Sequence, residues 1–511
     1  MSYLVWGWGA TEADAPKPAD LEAMAPYVAE VLGFPAQAPE LPRQLATGTD
    51  PDRARHSLGR SYGDVVRGMR AEIPRLVDRV ARPRDEAEIT ALLEAAAATG
   101  AALIPFGGGT SVVGGVTPPP DERPVWSLDL GRLAGVAEVD ATSRAARVMA
   151  GTTGPALEDA LRPQGLTARF FPQSFERSTV GGWVATRAAG HYATRLQHID
   201  DLVESVRAVT SAGVWQSRRL PASGAGPSPD RMLLGSEGTL GVITETWLRL
   251  QDRPVHRAST VLLAPSFAVG CEAVRLLVQS GLAPATVRLV DGREAAVSGA
   301  LPAGAQTAEA VLVVGAESAH APVDAELAAA VTVLRDAGLR EPDGAGEAGR
   351  AWGSGFTRAP YVRDSFVLLG VLTETFETAT TWDRLDALVA SVTAAVEGAL
   401  ARVCGGGRVT CRLTHAYPDG AAPYFTVLAP ARRGSEIAQW AEVKAAASGA
   451  LADAGGTITH HHAVGRDHVP WYAAQRPDVF ALALAAVKRE IDPAGVLNPG
   501  VLLPDPLAPP R

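Results

Sequence analysis

The sequence predicts an α+β protein of at least two packed units, and three observations carry that prediction. At 511 residues the chain is too long for one hydrophobic core. Between residues 76 and 250 strand-like and helix-like segments alternate, and three glycine-rich loops fall among them. After Arg253-Pro254 the pattern changes, and a second run of alternating segments continues to about residue 450. The boundaries implied are an N-terminal segment over 1–69, a loop-bearing unit over 70–252, and a sheet-bearing α+β unit over 253–455. A C-terminal segment over 456–511 carries a histidine run.

Residues 1–69 mix Trp and Gly (Trp6, Gly7, Trp8, Gly9) with Pro-rich connections and no repeat. Leu76 to Val80 reads as a short strand. Asp85 reads as an N-cap, with Glu88 completing a capping box. Ile89, Leu92, Leu93 and Ala96 then fall at helical spacing, and Gly100 supplies the stop. Ala101 to Phe106 is a strand that runs straight into Gly107-Gly108-Gly109-Thr110-Ser111. Ala145 to Met149 repeats the strand pattern, and Pro155 to Leu161 is a short helix opened by proline. Leu202 to Thr210 and Val214 to Ser217 pair as a hairpin through Ser211-Ala212-Gly213. Pro221 to Pro229 is a flexible loop, and Val242 to Leu250 alternates as a strand. Glycine-rich breaks fall at 344–349 and 353–355 in the second unit. A helix over Asp478–Glu490 and a turn, DPAGVLNPG, follow the histidines.

Composition narrows the function. The net charge of −9, from 56 acidic and 47 basic residues, argues against a surface that coats nucleic acid. Three cysteines without CxxC spacing read as reduced thiols. No basic segment leads into an apolar stretch near the N-terminus, no run of 18 apolar residues is visible, and PLAPPR is no peroxisomal or retention signal. The expectation is a cytoplasmic protein.

The first glycine loop follows a strand, where backbone N–H groups can converge on an anion and glycine lets the main chain come close. It is not GxGxxG, because Val112 stands at the sixth position, and no GxxxxGK[ST] occurs. Two more small-residue loops follow: Ser178-Thr179-Val180-Gly181-Gly182-Trp183, and Gly235-Ser236-Glu237-Gly238-Thr239-Leu240-Gly241-Val242-Ile243. Each suits a flat ring and a pyrophosphate held by main-chain contacts.

Together IPFGGGTSVVGG, STVGGWVATRAAG and LLGSEGTLGVITE resemble the FAD-binding signatures of the vanillyl-alcohol oxidase and p-cresol methylhydroxylase superfamily. The resemblance covers roughly residues 70–252. It implies a p-cresol-methylhydroxylase-type domain of two α+β subdomains around extended FAD, with a substrate (cap) domain and a C-terminal segment returning to the flavin. It places the pyrophosphate on Gly107, Gly108, Gly109, Thr110 and Ser111. The rest of FAD falls to Ser178, Thr179, Gly181, Gly182, Gly238, Gly241, Val242 and Ile243, with Pro105, Thr186, Arg187 and Glu237 completing the set. No histidine stands at the usual attachment position beside the first loop, so the expected FAD is non-covalent.

The second half is similar to the alkyl-dihydroxyacetonephosphate synthase family. The likeness rests on Thr286 to Asp291, Glu374 to Thr378, Trp382-Asp383-Arg384, Cys411 to Thr414, His460-His461-His462 and the Trp-Gly-Trp-Gly opening. It implies that Tyr424 exchanges a proton with substrate, Arg363 handles the acyl carboxylate, Arg288 is needed for activity, and His461 is an acid/base near the flavin. The implied reaction has no net redox: a flavin N5 adduct of acyl-dihydroxyacetone phosphate exchanges its ester for a fatty-alcohol ether. Two departures touch the substrate: Ala463 follows the histidines, and residues 191–198 replace the usual basic-Tyr-Gly segment.

Taken alone, several of these residues have plainer readings. Tyr424 would be a packed core aromatic and Arg363-Asp364 a solvated surface pair. Trp6, Trp8 and Trp382 would be packing anchors. In an extended segment His460 and His462 point away from His461, and with no carboxylate or cysteine cluster nearby in sequence no metal site is expected. The alternative function is an FAD-linked dehydrogenase or oxidase of a 2-hydroxy acid. Such enzymes share the GSEGTLG loop and Asn-Pro-Gly tail but carry Glu-His-Gly in the histidine segment. The expected partner is a small-molecule or lipid substrate, with its phosphorylation open and no nucleic acid. Membrane contact is peripheral at most, and a homodimer stays open.

Overall fold

The computed structural model describes residues 3–9, 11–192, 198–297, 301–302, 305–342 and 361–503. The glycine-rich breaks at 344–349 and 353–355, and residues 193–197 of the departing segment, lie outside these.

The loop-bearing unit holds two sheets. Strands β1 (Arg79–Ala81), β2 (Ala102–Phe106) and β3 (Val125–Asp129) form a parallel sheet in the order β1-β3-β2. The first strand starts later than expected, because Val77 gives its N–H to the Ser57 hydroxyl instead of a ladder. Helix Glu86–Thr99 connects β1 to β2, capped by Asp85 and stopped by Gly100 at φ +69°. The capping box is only half made. The Glu88 carboxylate takes the Arg84 N–H and guanidinium, each at 2.8 Å, where a full box needs the Asp85 N–H.

The DPAGVLNPG segment does more than turn. Leu103 N–H donates to Val496 at 2.7 Å and Asn498 N–H to Leu103 at 3.0 Å, so residues 496–498 lie along the edge of β2. Strands β4 (Val136–Asp140), β5 (Ala145–Met149), β7 (Val203–Thr210), β8 (Gly213–Gln216) and β9 (Val242–Arg249) make an antiparallel sheet in the order β4-β5-β9-β7-β8. The short β6 (Leu166–Thr167) pairs with β10 (Gln251–Asp252) beside it. Helices Gly154–Leu161 and Val180–Thr186 bury Leu157, Leu161, Trp183 and Val184 against this sheet with Val148, Val206 and Leu248.

The second unit is built on one antiparallel sheet. Its strands are β11 (His256–Ala264), β12 (Thr286–Asp291), β13 (Ala310–Ser318), β14 (Val371–Glu377), β15 (Thr380–Thr381), β16 (Arg408–Ala416) and β17 (Gly420–Pro430). The order is β11-β13-β12-β16-β17-β14, with β15 on β17. Period-2 alternation splits its residues between two faces. Leu262, Leu289, Leu312, Leu413, Phe425 and Val427 pack under helices, while the other face looks toward the glycine loops. Helix Leu385–Cys404 buries Leu388, Val392, Val396 and Leu400 in that core. With its lead-in from Trp382 it is long and apolar enough to cross a membrane, at mean hydropathy 1.5, a property that counting apolar runs in the sequence misses.

The N-terminal segment packs into the second unit, although 70–252 follows it in sequence. Tyr3 and Trp6 join Phe366, Phe376 and Phe425 in one core. Tyr3 Oη donates to Asp364 at 2.7 Å and Trp8 N–H to the same oxygen at 2.6 Å. Asp364 is therefore fully buried, not half of a solvated surface pair. Its charge is met by these donors and by Arg363 at 3.3 Å.

Candidate active site

One cavity of about 850 Å³ lies between the two units, at the large end for a small-molecule site. One wall is backbone. Pro105, Gly107, Gly108, Gly109, Thr110, Ser111, Ser178, Thr179, Gly181, Gly182, Thr186, Glu237, Gly238, Gly241 and Ile243 line it. Of the loop residues singled out from the sequence, Arg187 and Val242 do not. The Arg187 guanidinium is ion-paired with Asp200 at 2.7 Å, and Val242 alternates into the core. A Cβ on Gly108 would fall 2.1 Å from the Arg177 carbonyl oxygen, and one on Gly107 2.3 Å from Thr179 Oγ1. Gly108 lets the first two loops touch main chain to main chain, and Gly107 lets the Thr179 side chain close on the first loop. Asn498 adds a buried Oδ1 acceptor without a partner to the same wall. Main-chain amides, small hydroxyls and a free acceptor fit a pyrophosphate and a flat ring with polar edges.

The opposite wall is side chains from the large sheet. Across β16, β17 and β14, Arg412, Tyr424 and Glu377 stand directly opposite one another, and the first two line the cavity. The Arg412 guanidinium carbon sits 3.8 Å from the centre of the Tyr424 ring. It is tethered by an ion pair to Glu294, which also accepts from Thr410 at 3.0 Å. Burial pushes the Tyr424 phenol up, and Arg412 opposes that shift. Arg288 shares this face, donates to the His191 carbonyl at 2.8 Å, and is pushed down to about 9 by burial and then by repulsion from Arg412. Arg363 reaches the cavity from the helical residues 361–368, donating to the Arg60 carbonyl at 2.6 Å and lying 5.5 Å from the Trp8 ring. Trp8 is thus both a packing anchor and a cavity residue.

The histidine segment is not extended. His460, His461 and His462 turn their backbone N–H groups onto the Glu377 carboxylate at 2.5, 3.0 and 2.8 Å. As a result His461 and His462 both face the cavity, and His460 turns away to Tyr417, whose hydroxyl is 2.7 Å from Nε2. The expected opposition of His461 to both neighbours fails because the segment bends. His461 lies nearly parallel to Tyr424, with ring centres 6.2 Å apart at 22°, and His462 stands edge-on at 5.5 Å.

Burial holds His461 and His415 well below the ordinary histidine value and His460 at about 4, with Glu377 working partly against it at His460 and His461. Burial alone would raise Glu377, yet it is held well below the carboxylate range, with the His461 N–H among the donors to it. Ligand atoms of His415, His460 and His461, and of Glu377, His461 and His462, are close enough to share a metal ion. A carboxylate is therefore nearby after all, 84 residues upstream of His461. His415, however, already commits Nδ1 to Thr414 at 3.2 Å and Nε2 to the Gly190 carbonyl at 2.8 Å. Glu237 receives the Val464 and Gly465 N–H groups at 2.9 Å each and is pushed up to about 7 by burial.

All four residues given chemical roles in the sequence analysis, Tyr424, His461, Arg363 and Arg288, meet in this cavity. Arg412, Glu377, Glu294, His415 and His462 were not assigned roles there. A signal existed for Arg412: a charge in the middle of a hydrophobic strand, CRLTHA, is costly unless paired.

Two family models match the chain: an FAD binding domain over residues 77–217 and the C-terminal domain of FAD linked oxidases over residues 253–502. An alkyldihydroxyacetonephosphate synthase of Caenorhabditis elegans is 32% identical over 480 residues, 87% of this chain and 80% of that protein. A solved alkyldihydroxyacetonephosphate synthase superposes with a TM-score of 0.76 at 23% identity, covering 94% of this chain and 92% of the other. A structure of p-cresol methylhydroxylase superposes with a TM-score of 0.65 at 14% identity, over 83% of this chain and 88% of the other, which supports the same fold.

Proposed function

Because the chain belongs to the alkyldihydroxyacetonephosphate synthase family and its cofactor is FAD, we propose that it exchanges the acyl ester of acyl-dihydroxyacetone phosphate for a fatty-alcohol ether. The observation that carries this reading is the placement of Tyr424 between Arg412 and His461, on the wall facing the glycine loops. Bound FAD supplies an electrophilic ring that permits the exchange without net redox change. The chain's own residues supply proton transfer, anion binding and the exclusion of water.

Tyr424 takes a proton from the carbon beside the substrate carbonyl and returns it after the exchange. A guanidinium over the ring face favours the phenolate form it passes through. His461, held neutral by burial, is free to accept a proton from the incoming alcohol. The bond from the dihydroxyacetone carbon to the ester oxygen breaks, and the fatty acid leaves as its carboxylate. The alcohol oxygen then bonds to the same carbon. Arg363 binds the departing carboxylate and Arg288 the substrate phosphate, as guanidinium forks suit both anions. Val261, Val311, Leu301 and Pro302 make the cavity apolar toward β11 and β13, which suits a fatty chain.

The test incubates purified protein with palmitoyl-dihydroxyacetone phosphate and labelled hexadecanol. Labelled ether, released palmitate, no oxygen uptake and no accumulated reduced flavin are expected, with FAD freed by acid precipitation. Bleaching of the flavin by D-lactate, with no ether formed, would replace this reading with a dehydrogenase.

A further inference from the structure

We propose that Glu377 is a positioning residue for this reaction: its carboxylate gathers the N–H groups of His460, His461 and His462 and so sets His461 and His462 against Tyr424. The inference rests on the function proposed above and adds a residue to it. Glu377 stands on β14 directly opposite Tyr424 on β17. One fixed ladder therefore sets both the phenol and the carboxylate that holds the histidines.

The residue is 1% exposed. Besides the three backbone donors it accepts from Thr459 Oγ1 at 2.7 Å, and Thr459 Oγ1 in turn accepts from His462 N–H at 3.0 Å. Three successive N–H groups on one anion form an anion nest, here closed on a carboxylate of the protein itself. The same stretch is tied at its far end, where Glu237 of the third glycine loop takes the N–H groups of Val464 and Gly465. Residues 460–465 therefore bridge the two units, with one buried carboxylate from each unit fixing one end. The ring of His461 has no strand or helix of its own to aim it, so its direction depends on these anchors.

Glu377→Gln keeps the shape but turns one oxygen into an N–H donor facing N–H donors. Glu377→Asp keeps the charge on a shorter arm. Hydrogen exchange of holoenzyme, followed by mass spectrometry, reads the seat without substrate. Steady-state kinetics on acyl-dihydroxyacetone phosphate and hexadecanol reads its use. In Glu377→Gln the peptide spanning 457–466 should exchange at least tenfold faster, with β17 peptides and FAD content unchanged. In the same variant kcat should fall at least tenfold while KM stays within threefold, and Glu377→Asp should recover part of kcat.

Unchanged exchange in 457–466 would overturn the proposal, as would faster exchange with normal kcat. Loss of FAD with global exchange in both variants would also overturn it, since Glu377 would then be a residue of the fold alone. Wild-type protein that makes no ether sinks the proposed reaction, while the exchange measurement still decides whether Glu377 seats the histidines.

Discussion

The two walls of the cavity are made of different material. The wall from the loop-bearing unit is main chain, with glycines at 107, 108, 109, 181, 182 and 238, and all of these but Gly182 leave no room for a Cβ. The wall from the large sheet is side chains at every second position of separate strands: Arg288, Arg412, Tyr424, Thr426 and Thr375. The first can hold any molecule with the right phosphates and edges, which suits a cofactor. The second presents individual charges and hydroxyls, so a single substitution there changes chemistry without changing shape. Binding should therefore fail when the glycine wall is altered, and turnover when the sheet wall is altered.

The largest expected effect tests the second half of that statement. Tyr424→Phe removes one oxygen and keeps the ring, so FAD content should hold while turnover slows by about a hundredfold or more. Normal turnover with full FAD would remove Tyr424 from the chemistry and leave the family likeness as one of fold and cofactor. Gly108→Ala tests the first half. Its Cβ would stand 2.1 Å from the Arg177 carbonyl oxygen, a backbone atom that cannot swing aside. An overpacking cost of about 1–3 kcal/mol should appear chiefly as roughly tenfold weaker FAD binding, measured by equilibrium titration of apoprotein. Wild-type affinity in that variant would show that the loops need not touch for the cofactor to bind.

A smaller effect separates the walls by acid. Burial holds His191, His415, His460, His461, His462 and His468 below the ordinary histidine value, with His460 at about 4. The fold refuses protons that the unfolded chain accepts. Their contribution is thus complete above about pH 6.5 and is lost as pH falls toward the folded values, at about 1.4 kcal/mol per unit per group. Asp64, Asp467 (about 6) and Glu237 (about 7) are raised by burial and act in the opposite direction. They are three against six. Melting temperature should accordingly drop by several degrees between pH 7 and pH 5, with FAD still bound at the lower pH. An unchanged melting temperature would mean that the buried imidazoles take up protons without cost.

The difference between the walls also explains what the sequence revealed. The glycine loops are contiguous, so fold and cofactor could be read from three short stretches. The hairpin over 203–216 was legible from its turn residues because its two strands are adjacent in sequence, and the strands Ala145–Met149 and Val242–Arg249 from their own alternation, although they pair with each other across most of the loop-bearing unit. The sheet wall is assembled by register between residues far apart. Nothing at Glu377 announces that Tyr424 will stand opposite it, or that residues 460–462 will bend over it. An extended conformation would put His461 alone in the cavity, but a distant carboxylate bends the histidine segment and brings His462 in as well. Asp364 was misjudged for the same reason: its partners Tyr3 and Trp8 lie some 360 residues away.

The strip at residues 496–498 along the edge of β2 has a bearing on biosynthesis. Leu103 and the first glycine loop leave the ribosome almost 400 residues before Val496, their last neighbour in the parallel sheet. Tyr3 waits nearly as long for Asp364. A growing chain thus holds its glycine loops in an unfinished cradle through most of translation, with non-local contacts of the kind that fold slowly. Asn498 reaches the Gly115 and Glu237 carbonyls only at the close, at 3.2 and 2.7 Å. The wall facing the cofactor is therefore complete only once residues 496–498 have been made.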